Sequence, residues 1–133
     1  MSIVWPPDLF VFPEGDGSID LTGRARIVVH GPYKVLKPGR WRIRARFEVG
    51  IEGFPVPVRL EWGGAHDVAG ETVHLDAPGL YEMSLDYAWP QGGLAALRLW
   101  VAQPIFAGRL TFLGAEVERL DDQSLPNQSS QSS

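Results

Sequence analysis

Residues 39–50 read GRWRIRARFEVG, and every second side chain along the run is apolar. Trp41, Ile43, Ala45, Phe47 and Val49 form one set; Arg40, Arg42, Arg44, Arg46 and Glu48 form the other. A strand turns successive side chains to opposite faces, so this run suits a sheet with one face buried and one in water. A helix would scatter both sets around its circumference and bury arginines with tryptophan.

The same signal recurs at residues 24–30, 56–62, 71–75, 79–87, 94–101 and 108–120, with a short apolar run at 9–12. In 56–62, Val56, Val58, Leu60 and Trp62 share one phase. In 79–87, Tyr81, Met83, Leu85 and Tyr87 do, with Glu82, Ser84 and Asp86 opposite them. In 94–101, Leu97, Leu99 and Val101 point inward, leaving Arg98 and Trp100 outward. Gly114 interrupts the phase of 108–120 and reads as a bulge. Pro and Gly punctuate the gaps at 13–18, 37–40, 62–65, 77–80 and 89–93. About eight short strands with turns every 8–12 residues predict an all-β fold, a two-sheet antiparallel β-sandwich of jelly-roll type. The expected core is Phe10, Ile27, Val29, Trp41, Ile43, Phe47, Val58, Leu60, Tyr81, Met83, Leu85, Leu97, Leu99 and Phe112.

The 133 residues suit one domain, read as 1–120, followed by a polar flexible tail at 121–133. That tail has one leucine and too little apolar surface to offset its ordering entropy. With no cysteine, neither disulfides nor thiolate metal sites are available. The net charge of −4 argues against nucleic acid as a partner. No apolar run is long enough to insert in a membrane. The N-terminus MSIVWPPDLF lacks a basic start and an apolar stretch behind it. The expectation is therefore a cytoplasmic domain without a signal peptide, or part of a larger chain.

Residues 31–49 (GPYKVLKPGRWRIRARFEV), the run LRLWV at 97–101 and LTFLGAEVERL at 110–120 resemble small jelly-roll modules of the galactose-binding-like type. Those modules accompany glycosyltransferases and methyltransferases of bacterial surface polysaccharides. The resemblance spans about residues 24–120 and rests on turns and strand faces. It implies a jelly roll and a glycan ligand, and it supplies no map of ligand residues.

Catalytic chemistry finds little to build on. The histidines His30, His66 and His74 form no H-x-H pair, although His66, Glu71 and His74 are close enough in sequence to consider as metal ligands. There is no G-x-S-x-G, and no catalytic residue is assigned. Glu82, Asp86, Glu116 and Glu118 fall on solvent-facing phases and have a simpler role as cross-strand partners of the arginine stripe. Glu14, Asp16 and Asp20 lie in a Gly-rich stretch that offers oxygen ligands for a structural calcium ion, but a plain acidic turn is the simpler reading. No cofactor is otherwise expected.

Five tryptophans carry the most suggestive signal. Sugar rings present apolar C–H faces to indoles, while their hydroxyls seek polar side chains. Trp41 belongs to the core phase and Trp5 is expected to pack down. Trp62, Trp89 and Trp100, with His66, Asp67, Gln91, Arg98 and Gln103, are the candidate ligand-binding residues. The expected function is non-catalytic binding of a glycan or polysaccharide. The alternative is a structural or protein-interaction module, with Trp100, Ile105 and Phe106 as a patch for a homo-oligomer or a polysaccharide-acting enzyme.

Overall fold

A computed structural model describes residues 2–120; the tail expected at 121–133 lies outside the described residues. Among the described residues nine strands follow one another: β1 (Ser2–Trp5), β2 (Ser18–Asp20), β3 (Arg26–Leu36), β4 (Gly39–Val49), β5 (Val56–Gly63), β6 (Val68–Leu75), β7 (Gly79–Trp89), β8 (Gly93–Val101) and β9 (Arg109–Arg119). They form two antiparallel sheets. One has the order β1-β9-β4-β7, with β2 also pairing with β9; the other has the order β3-β8-β5-β6. The chain changes sheet at β2–β3, β3–β4, β4–β5, β6–β7, β7–β8 and β8–β9, which is the connectivity of a jelly roll.

The alternation read at 39–50 is β4 itself. Trp41, Ile43, Ala45, Phe47 and Val49 are all buried, and the core continues through Leu60, Leu97, Leu99 and Phe112. At one end of the sandwich Trp62 stands edge-on to Trp5 and Trp89, with centroids 5.9 and 5.1 Å away. The Trp62 indole N–H donates to the carbonyl of Trp41 at 3.1 Å, so its polar atom is satisfied inside the core. Tyr81 and Leu85 pack on the core half-buried.

Gly114 makes the bulge the sequence suggested: Arg46 pairs with Gly114 but Phe47 pairs with Phe112, so Leu113 has no partner and is exposed. The glycine adopts φ +102°, and a Cβ there would stand 2.7 Å from the carbonyl oxygen of Trp5. The bulge thus lies where β1 leaves β9, ahead of the stretch where β2 takes over the same edge.

Three expectations need correction. Residues 9–12 are not a strand: Pro6 and Pro7 start a 3₁₀ turn over Pro7–Leu9, and Val11 makes only an isolated bridge with His30. β1 and β2 lie outside the runs read from alternation, being too short to show a period. Ile27 is not a core residue. A register shift between Ile27 and Val29 puts Ile27 opposite Trp100, on the outer face, while Val29 meets Leu99 in the core.

The outer face of the five-stranded sheet is a closed ionic lattice. Arg42 Nε donates to Asp86 at 2.8 Å, Arg44 Nη2 to Glu118 at 2.9 Å and Arg46 Nε to Glu82 at 2.8 Å. Arg40 also reaches Asp86, and Arg46 reaches Glu116. Hydrogen bonds from Arg42 hold the Asp86 carboxyl below its ordinary pKa of 3.8; partial burial opposes this, and Arg40 adds to it. A carboxyl depressed by folding stabilises the native state above its unfolded pKa and loses that contribution as pH falls through the lower folded value. Asp86→Asn should therefore lower the melting temperature at pH 7 and make little difference near pH 2. Melting curves across that range check this; an equal loss at both pH values would contradict it.

Candidate functional site

The outer face of the four-stranded sheet differs from that lattice. Leu97, Leu99 and Val101 of β8 are fully buried, so Arg98 and Trp100 project outward from a central strand. Pairing then sets their neighbours. Arg98 lies between His30 of β3 and Glu61 of β5, with Gly70 of β6 beyond; Trp100 lies between Ile27 and Arg59, with Thr72 beyond. Residues two apart on a strand stand about 7 Å from each other.

Hydrogen bonds fix these side chains. The Trp100 indole N–H donates to Glu61 Oε1 at 3.1 Å, and Arg59 Nε donates to Glu61 Oε2 at 3.0 Å. Arg59 Nη1 donates to Thr72 Oγ1 at 3.2 Å. Gly70 leaves the room this needs, since a Cβ there would sit 2.1 Å from Arg59 Nη2. At the β3 edge, His30 Nδ1 lies 2.6 Å from the Tyr33 hydroxyl. Tyr33 takes φ 64° at a second register shift, which folds its ring back beside Gly31. The result is a partly exposed indole whose N–H is held by a carboxylate, with Arg98 along the strand, Arg59 across one pairing and Ile27 across the other.

The face continues past Trp100. Pro57 pairs with His74 one step further along, and beyond them the β8–β9 loop forms a cleft of about 390 Å³ with Gln103 and Phe106 in its wall. A larger hollow of about 500 Å³ sits among the loops at the same end, walled by Asp20, Thr22, Glu52 and Arg109. Its wall has no aromatic side chain.

Of the candidate residues, Arg98, Trp100 and Gln103 share this one continuous surface. His66, Asp67 and Gln91 are exposed at the opposite end of the sandwich, in the turns after β5 and β7. There Asp67 Oδ2 accepts the Tyr87 hydroxyl at 3.1 Å, and burial with that hydrogen bond raises the Tyr87 pKa. Trp62 and Trp89 are corrections: they are 0% and 5% exposed and belong to the core. β7 runs on to Trp89, which keeps the inward phase of Met83, Leu85 and Tyr87, and the turn begins only at Pro90. No ring face of either indole is open to a ligand.

His66 lies in the turn before β6 and His74 near the far end of that strand; about 20 Å of extended chain separates Val68 from His74. In the acidic turn each carboxylate faces a local donor: Glu14 pairs with Arg26, Asp16 accepts the Ser18 N–H and Asp20 the Thr22 N–H. Among the described residues no three His, Asp or Glu side chains converge as a metal site. No described helix is long and apolar enough to cross a membrane.

Pattern reading did not place Arg59, Glu61, Thr72, His30 or Ile27 at the site; Ile27 was expected in the core. The outward phase of Arg59 and Glu61 is legible in VPVRLEW, but which strand lies beside β8 is a long-range fact.

No protein-family model matches the chain, and no curated protein matches it in sequence. Solved structures share its fold. TmCBM61, solved with beta-1,4-galactotriose, aligns over 90% of this chain and 88% of its own, with TM-score 0.59 and 8% identity. The CBM36-1 domain of a multidomain xylanase from the hindgut metagenome of Trinervitermes trinervoides covers 90% and 98%, with TM-score 0.58 and 8% identity. A cyclase from Fischerella sp. TAU covers 89% and 74%, with TM-score 0.52 and 14% identity. The chain therefore has the β-sandwich fold of carbohydrate-binding modules, a fold that also serves an enzyme.

Proposed function

We propose that this chain is a non-catalytic carbohydrate-binding module whose ligand lies across the outer face of the four-stranded sheet. One observation carries the reading: Trp100 is a half-buried indole on a central strand, its N–H tied to Glu61, with Arg98, Arg59, Thr72 and His30 around it. A pyranose laid on the ring would find donors and an acceptor at its rim. The indole costs little entropy to order, because Glu61 already holds it. The likeness to carbohydrate-binding modules in fold supports the same reading. A glycan array on the purified protein tests the proposal: retention of a defined set of glycans supports it, and a blank array contradicts it.

A second reading, as an interaction module, draws on Phe106. Its side chain is 99% exposed, and Ile51 in the facing β4–β5 loop is 82% exposed. Ile105 does not join them. It is bridged to Gly23 and packs on the core, which anchors the loop and leaves Phe106 at its tip. If this tip joins two copies, sedimentation should show a dimer that Phe106→Asp converts to a monomer. A monomer at all concentrations would rule out self-association.

A further inference from the structure

The charge on the candidate face points to the class of glycan. Arg26, Arg42, Arg44, Arg46 and Arg59 each meet a carboxylate within salt-bridge distance. Arg98 meets none among the described residues, although it is half-buried on a central strand. Its cross-strand neighbour Glu61 has one oxygen taken by Trp100 and the other by Arg59. On its other side stands His30, engaged with Tyr33, and β6 adds only Gly70 and Thr72. Two guanidinium groups against one carboxylate leave this face positive on a chain of net charge −4. Arg98 thus keeps a guanidinium with no carboxylate partner among the described residues, and its planar fork suits a two-oxygen anion.

We propose that the ligand is an acidic glycan, with a carboxylate, sulfate or phosphate group held by Arg98 and an adjacent ring laid on Trp100. This rests on the glycan reading of the face. The roughly 7 Å between residues two apart on a strand lets one sugar unit reach from the indole to the guanidinium. Glu61 repels an anion from the Arg59 side and so fixes the direction in which the ligand lies.

The test is an array carrying the same sugar backbones in neutral, uronic-acid, sulfated and phosphorylated forms, probed with wild type, Arg98→Gln and Arg98→Lys. Wild type should be retained by acidic members, more weakly as salt rises, and the chemical form that binds best identifies the anion. Arg98→Gln should lose roughly tenfold or more in affinity with an unchanged melting temperature, and Arg98→Lys should recover part of it. Retention of neutral members as strongly as acidic ones, with Arg98→Gln equal to wild type, would overturn the acidic ligand and leave glycan binding intact. A wild-type protein retained by no member would overturn both.

Discussion

Trp62→Ala should destabilise the protein by about 3–5 kcal/mol, enough to leave much of it unfolded if its stability lies in the ordinary range of roughly 5–15 kcal/mol. The side chain is fully buried, touches Trp5 and Trp89 edge-on and satisfies its N–H on the Trp41 carbonyl. Truncation removes the transfer energy of the indole and its hydrogen bond to the Trp41 carbonyl, and leaves a cavity between both sheets. Urea denaturation followed by fluorescence or circular dichroism measures the loss. A change under about 1 kcal/mol would mean that this cluster does not hold the sandwich together. The consequence for function is practical: any glycan binding lost in Trp62→Ala is lost through the fold.

Trp100→Ala should do the reverse. Its ring face is partly open, so the melting temperature should move little, while affinity for the retained glycan should fall by about 2 kcal/mol or more, roughly thirtyfold. The variant also frees Glu61 Oε1, so some local rearrangement of Arg59 is expected. Isothermal titration beside a thermal melt separates the two effects. Unchanged affinity would remove Trp100 from the site. A fall in affinity matched by a large fall in melting temperature would make it a structural residue.

These two tryptophans show what the sequence discloses and what it withholds. Period two alone puts Trp62 inside and Trp100 outside, because each sits in a strand whose phase its neighbours fix. The same logic reaches Trp89 once the strand 79–87 is extended by two residues; reading WPQGG as a turn from its first residue is what misplaces it. Ile27 is misplaced for a different reason. Its strand is bulged, and a bulge in an apolar stretch such as RIVV leaves no break in the pattern. The candidate site was legible only in part. Arg98 and Trp100 come from one strand, so local phase finds them together. Arg59, Glu61 and Thr72 reach them through pairing of β5 with β8 and β6, a sheet order that crosses the chain and has no local signature. His66, Asp67 and Gln91 were grouped with them by residue type, yet the topology sends them to the other end of the sandwich.

The location of the site is the central claim, and a nitrogen–proton NMR titration with the most strongly retained glycan tests it most directly. The Trp100 indole N–H and the backbone amides of Arg59, Glu61, Arg98 and Trp100 should shift, while the indole signals of Trp5, Trp41, Trp62 and Trp89 stay in place. Shifts centred instead on Gly64–Asp67 and Pro90–Gly92, or on Phe106, with Trp100 unmoved, would contradict it.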